Sequence, residues 1–313
     1  DYVSALAADI AAQLEKTGGS TKLDLANSIW TDDDKAVIEE EWLKTVKAYF
    51  GPDIYSADLP SDGALKAINK WVNDKTNGMI PKLHDDNYDK DTIMVLLNAL
   101  YMKADWAHKF EGNDTYDREF AKADGSTVTV PFMNMFEAYE SYIKTEDAEG
   151  IMLPYDDGRL AFIALKPGSG DARGYAASLT GAKLKEATAK ADTFVTVNMP
   201  KFDTEYSVYL TDALKAMGMT DAFDPFLADL SGAGRGVDGP LYISYVFQRV
   251  KVDVNEEGTE AAAVTEIATA EGCALPADEP IVLTFDKPFV YAIVDTEPGV
   301  PLFAGVMENP EAK

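Results

Sequence analysis

The chain has 313 residues, 46% of them hydrophobic, enough apolar material for one large core or two small ones. A net charge of −26 argues against nucleic acid or an anionic membrane as partner, and it fits a secreted, extracellular or cell-surface setting. The single cysteine, Cys273, forbids an internal disulfide, and two histidines are too few for a His-based triad or a zinc centre. Glu111 follows His108 at metal-ligand spacing but brings no further ligands, so neither metal nor cofactor is expected. No run of 18 apolar residues exists to span a membrane. Asp1 opens the chain without an initiator Met or a signal pattern, so a processed or truncated start is expected.

Val3, Leu6, Ile10 and Leu14 recur at helical spacing, and Gly18-Gly19 stops them. Residues 35–49 predict a second helix carrying Ile38, Trp42, Val46 and Tyr49 on one side. Ser61-Asp62 caps a third, with Leu65, Ile68, Trp71 and Val72 inward and Gly78 at its end. From Ile93 strands take over. Residues 93–102 are nearly all apolar, as expected of a strand covered on both faces. Further strands are predicted at 137–144, 149–155, 160–166 and 193–208, with two short helices near 173–190 and another at Leu210–Met217. In 246–254, Val246, Val250, Val252 and Val254 face one way and Arg249, Lys251 and Asp253 the other. Late strands follow at 281–285, 289–294 and 301–307. Helices first, then many strands, predict one α+β domain over 1–313 with large antiparallel and mixed sheets. No repeat, low-complexity tract or long linker divides it.

The segment after residue 254 fits none of these elements. One phase of it reads Thr259, Ala261, Ala263, Thr265, Ile267, Thr269, all small or β-branched and uncharged. The other reads Glu260, Ala262, Val264, Glu266, Ala268, Ala270 and holds both acids. As a strand its twelve residues would span about 40 Å, one face on a core and the glutamates in water. Composition alone equally allows an Ala-rich helix. The strand nets little unless both edges are bonded, because each bond gives roughly 0.5–1.5 kcal/mol against about 1–2 kcal/mol of backbone ordering per residue. Nucleophile motifs are missing: there is no G-x-S-x-G, H-E-x-x-H or P-loop, so the chain does not read as an enzyme.

A series of short motifs points further. In chain order they are Ile68-Asn69-Lys70-Trp71-Val72, Leu97-Asn98-Ala99-Leu100-Tyr101-Met102-Lys103-Ala104-Asp105-Trp106, Val130-Pro131-Phe132-Met133, Leu153-Pro154-Tyr155 and Met199-Pro200-Lys201-Phe202. They continue with Met217-Gly218-Met219, Ala228-Asp229-Leu230-Ser231-Gly232, Asp286-Lys287-Pro288-Phe289 and Pro301-Leu302-Phe303-Ala304-Gly305. Each alone is ordinary strand or turn chemistry, but in this order they resemble the serpin family along essentially the whole chain.

That resemblance implies a main sheet, two further sheets, surrounding helices and a mobile reactive-centre loop at 256–280. It makes Glu256, Glu257, Gly258, Thr259, Glu260, Ala261, Ala262 and Ala263 the hinge of the loop, Asn98 and Gln248 part of the "shutter", and Trp106 part of the "breach". Family members act as one-shot suicide inhibitors: the cleaved loop enters the main sheet and carries the acylated protease with it. The small residues of this hinge place the chain with inhibitory members rather than with serpin-fold binding or carrier proteins that are cleaved as plain substrates. The family's spacing puts the scissile bond at Gly272–Cys273, with Glu271–Gly272 and Cys273–Ala274 as alternatives. Small residues there suggest an elastase-like or subtilisin-like serine protease as partner of a monomeric inhibitor. Gln248 stands where the family usually has histidine, so a His-based pH response is not carried over. The helix at Val3–Leu14 has no basic residue until Lys16, so no heparin activation is expected. The family's first three helices have no counterpart before Asp1, which reads as truncation rather than as an open sheet face.

Overall fold

The computed structural model describes residues 19–189, 192–244, 246–259 and 279–311. The first helix expected, Val3–Leu14, lies outside them. In chain order come β1 (Lys22–Thr31), β2 (Ala36–Ile38), α1 (Glu40–Phe50), β3 (Asp53–Ser56), α2 (Asp62–Lys75) and β4 (Met94–Asp105). Then follow β5 (Thr115–Ala121), β6 (Thr127–Lys144), β7 (Ala148–Pro154), β8 (Leu160–Pro167), α3 (Ala172–Ser178) and α4 (Gly181–Ala187). The next are β9 (Asp192–Pro200), β10 (Phe202–Tyr209), α5 (Thr211–Ala216), β11 (Gly234–Gly236), β12 (Phe247–Val254) and β13 (Gly258–Thr259). Last are β14 (Ile281–Thr284), β15 (Phe289–Asp295) and β16 (Val300–Met307). The fold is α+β, as expected.

The chain forms two compact units. The first holds residues 23–102 and 205–251. In it β1 pairs in parallel with β3, from Ser28 opposite Asp53 to Thr31 opposite Ser56. α2 packs on this sheet because its apolar residues recur at helical spacing: Ala64, Ile68, Trp71 and Val72 are buried, in a core with Trp30, Leu59, Ile80 and Ala99. The Ser61 hydroxyl accepts from the Ala64 amide at 3.2 Å, as its sequence position requires. The helix ends at Lys75 rather than at Gly78. Thr76 closes it early: its buried hydroxyl donates to the Val72 carbonyl and accepts from the Ile80 amide. Asn77 and Gly78 then take positive φ, and the Gly78 amide reaches back to the Asn73 carbonyl.

Two expectations fail in this unit. Residues 35–49 are not one helix. The Glu39 amide donates to the Ala233 carbonyl and Ala36–Ile38 pairs with β11, so these backbone groups are committed elsewhere and the helix starts at Glu40. Nor is β4 covered on both faces. Val95 and Leu97 pack on the core and Ala99 is buried, while Leu96 is 59% exposed and Asn98 is exposed. Strands β1 and β3 carried too weak an alternation to be predicted.

The second unit holds residues 103–204 and 252–313 with a short N-terminal piece. Its eight-stranded sheet runs β14-β9-β6-β7-β8-β15-β16, with β5 on β6. All its pairings are antiparallel except β14 with β9. Buried Met152, Ile163, Leu165, Val290 and Val294 form a core closed by Ala172, Tyr175 and Leu184 from α3 and α4. The single strand expected at 193–208 is two. Pro200 offers no N–H, the Lys201 amide turns aside to the Pro131 carbonyl, and β10 leaves for the other sheet.

Candidate functional site

The hinge is a tight turn between β12 and β13. Leaving β12, the Asn255 amide donates to the Gly258 carbonyl at 3.0 Å, and Asn255 Oδ1 accepts from the Glu257 amide at 3.0 Å. The chain then re-enters the sheet for two residues. Thr259 pairs antiparallel with Val254 of β12 on one side and with Ala104 of β4 on the other. Gly258 lies opposite Asp105, and a Cβ there would sit 2.0 Å from the Ala104 carbonyl oxygen, so only glycine fits.

Trp106 closes one wall. Its indole N–H donates to the Asn255 carbonyl at 2.9 Å, and its backbone amide donates to the Glu257 carbonyl at 2.8 Å. The ring stacks on Tyr155 with centroids 4.8 Å apart and an interplanar angle of 8°. Tyr155 is wholly buried, and its hydroxyl lies 2.6 Å from Thr259 Oγ1. Burial pushes the Tyr155 hydroxyl well above its usual pKa, so it stays protonated and the two hydroxyls share a hydrogen bond. Thr259 is therefore buried with its one polar atom satisfied. The expected inward phase holds at this residue.

The two hinge glutamates are anchored by cations. Glu256 meets Lys201 Nζ at 2.7 Å and accepts from the Thr115 hydroxyl at 2.7 Å. Burial works to raise its pKa, but Lys201, Thr115 and a backbone amide outweigh that and hold it below the ordinary range. Glu257 pairs with Lys109 at 2.7 Å, and Asp105 shares the same ammonium at 3.1 Å. The Glu257 bond first, then Asp105, hold Lys109 above its usual pKa against desolvation. A lowered carboxylate contributes stability above its unfolded pKa and loses it as pH falls through the folded value. A raised lysine contributes below its unfolded pKa and loses it as pH rises. The anchor is thus intact between roughly pH 5 and pH 10.

This anchoring gives a first prediction. Glu256→Lys sets two ammonium groups face to face in a half-buried site and is expected to destabilise the fold by about 1–3 kcal/mol in urea unfolding. Adding Lys201→Glu restores the opposite pair and should recover most of that loss. A double variant no better than the single one would show that the ion pair is not what holds the turn.

Of the other predicted site residues, Asn98 donates from Nδ2 to Asn27 Oδ1 at 2.9 Å, and both it and Gln248 are exposed on β4 and β12. Glu260, Ala261, Ala262, Ala263, Glu271, Gly272 and Cys273 lie outside the described residues. His108 turns to Glu140, with Nδ1 2.6 Å from Oε1, rather than to Glu111. Tyr155, Lys201, Lys109 and Asn255 were not predicted as site residues. Two adjacent carboxylates in a hinge that must enter a sheet were the available signal that lysines would meet them.

In the order β10-β12-β13-β4-β1-β3, β13 stands between β12 and β4, and among the described residues no ladder joins those two directly. Among the described residues no strand lies between Met94–Met102 of β4 and Phe247–Lys251 of β12.

Residues 2–310 match the family described as Serpin (serine protease inhibitor). Serpin B10 of Otolemur garnettii is 36% identical over 279 residues, covering 86% of this chain and 69% of that protein. The leukocyte elastase inhibitor of Homo sapiens is 35% identical over 312 residues, covering 96% and 80%. The native-state crystal structure of the thermophilic serpin tengpin superposes with a TM-score of 0.88 at 32% identity, covering 97% of this chain and 77% of that one. The hinge held between β12 and β4, with its aromatic wall, thus sits in a chain that belongs to the serpin family.

Proposed function

We propose that the protein inhibits a serine protease as a suicide substrate, trapping the acylated enzyme when its cleaved loop fills the slot between β4 and β12. One observation carries this reading. The hinge is already paired with β4 at Gly258 and Thr259 and with β12 at Thr259, and both strands extend past that point. Thr259 faces Ala104 and Val254, so each further loop residue steps one place back along both strands. Thr265 then falls between Asn98 and Gln248, which gives these two exposed positions a common partner. Ile267 falls between Leu96 and Val246, and Ala270 between Ile93 and Ile243. Insertion through Ala270 draws in the chain almost to the proposed scissile bond at Gly272–Cys273, with Glu271–Gly272 and Cys273–Ala274 as alternatives. The small residues around that bond suit a shallow pocket, elastase-like or subtilisin-like.

The test is a gel. Stoichiometric elastase or subtilisin is expected to give an SDS-stable complex of enzyme plus inhibitor, and mass spectrometry of the released peptide fixes the cut. A nicked chain with no complex, across a panel of serine proteases, would refute inhibition and leave a substrate-type binding or carrier protein.

A further inference from the structure

Residues 83–89, on the connection from α2 to β4, enclose a cavity of about 480 Å³ with Ser207, Tyr209, Phe247 and Arg249 of the neighbouring strands β10 and β12. Phe247 packs against the α2 core, so the cavity lies on the α2 face of the sheet, and no residue of β4 is among its described lining.

Its wall is aromatic. Tyr209 meets Phe247 edge-on with centroids 5.1 Å apart, Phe247 meets His84 at 4.5 Å, and His84 meets Tyr88 edge-on at 5.2 Å. The four rings form one unbroken line. Burial, and then the charge of Arg249, hold His84 below its usual pKa, so at pH 7 it joins that line as a neutral ring.

The charges of the lining are unequally spent. Arg249 is committed: Nε donates to Glu205 Oε1, and Nη1 donates to the carbonyls of Lys82 at 2.6 Å and Leu83 at 3.1 Å. Asp85 is paired with Lys82. Asp86 and Asp89 are exposed at the rim and meet no cation among the described residues. An anion entering here finds carboxylates and no available counter-charge. A compact metal ion finds no cage, because among the described residues no three acidic, histidine or cysteine side chains gather around one point. A neutral guest leaves both carboxylates unmet. A chain of methylenes carrying separated ammonium groups suits the whole lining, since cations are attracted to ring faces and alkyl stems lie well along apolar surface. A cavity of about 150 Å³ holds one benzene, so this volume admits a chain of roughly ten heavy atoms together with water.

We propose that this cavity is a binding site for a linear aliphatic polyamine, its methylene chain lying along Tyr209, Phe247 and His84 and its ammonium groups held by Asp86 and Asp89. The site is built from described residues of one unit and does not depend on the reactive loop or on the inhibitory reading.

The probe is spermidine, titrated calorimetrically into the intact protein at about 0.15 M salt, where long-range attraction to a charge of −26 is largely screened. One saturable site is expected. The double variant Asp86→Asn, Asp89→Asn should weaken it at least about tenfold (1.4 kcal/mol), and so should Tyr209→Ser, which removes a ring that is 60% exposed. A charge-matched double variant on β5, Asp117→Asn with Glu119→Gln, changes two exposed acids elsewhere and should bind as the wild type does. Retained melting temperatures show that each variant folds. Magnesium at the same concentration as spermidine should not displace it. Absence of a saturable site, equal weakening by the β5 pair, or displacement by magnesium would mean diffuse counter-ion attraction and overturns the proposal. Unchanged binding in Tyr209→Ser, or in the Asp86 and Asp89 double variant, places spermidine outside this cavity and overturns it equally.

Discussion

Thr259→Arg is expected to leave a protein that folds and is cleaved at the wild-type rate but yields more than about tenfold less protease complex. Thr259 is 3% exposed, and its Oγ1 lies 2.6 Å from a tyrosine hydroxyl that is itself wholly buried beside Trp106. A guanidinium placed there takes the threonine hydroxyl from Tyr155 and must itself be desolvated inside the sheet, and a buried charge that is not well paired costs about 3–5 kcal/mol. The chain avoids that cost by withdrawing two residues from the sheet, so the folded state loses only the short β13 ladder. Insertion cannot avoid it, because every later residue passes into the slot behind residue 259. Raising the insertion barrier by even about 3 kcal/mol slows it roughly a hundredfold, and deacylation then wins the race. Two milder variants separate charge from shape. Thr259→Ser keeps the hydroxyl and should keep the yield. Thr259→Val keeps the β-branch but strands the Tyr155 hydroxyl, at about 1–3 kcal/mol, and should fall between. An unchanged yield in Thr259→Arg would mean that this side chain does not face the core during insertion.

The hinge was legible because its signal is local. Its alternation runs over twelve consecutive positions, of which Thr259 is described and is buried as that phase requires, and the glycine before Thr259 is explained by one close approach to Ala104. The walls of the site were harder to read. Tyr155 meets Thr259 at a sequence separation of 104, and Lys201 meets Glu256 at one of 55. No periodicity connects such residues; only the pairing of β4, β12 and β13 does. The same limit explains the failures at the element level. Residues 35–49 carry a helical stripe, but β2 exists because β11 is available to pair with it. Residues 193–208 read as one strand because Pro200 and Lys201 reveal their break only when Pro131 stands alongside. β4 looked covered on both faces because its apolar run does not say what lies beneath Leu96.

Cutting the loop between residues 270 and 274 is expected to raise the melting temperature by tens of degrees. Gly258 and Thr259 already pair in the sheet, and on the proposed reading the uncut connection to β14 is what keeps the following residues from adding to them. Once cut, residues 260–270 gain hydrogen bonds on both edges. Their backbone ordering costs about 1–2 kcal/mol per residue, and each ladder bond returns roughly 0.5–1.5 kcal/mol. With two edges the bonds outweigh the ordering, where with one they would not. Burial of Ala261, Ala263 and Ile267 adds about 25 cal/mol for each Å² removed from water. A surplus on the order of 5–10 kcal/mol at about 2–4 °C per kcal/mol gives a shift of roughly 10–40 °C. Relief of loop closure alone changes stability by little, because that entropy grows only slowly with length. Ile267→Asp provides the control. The register sets residue 267 between Leu96 and Val246, so a carboxylate there should remove much of the gain while leaving the intact protein unchanged. If nicking moves the transition by no more than a few degrees, the cut loop has stayed out of the sheet and the slot is not its destination. If nicking stabilises but Ile267→Asp makes no difference, insertion stops before residue 267 and the register is shorter than the strands allow.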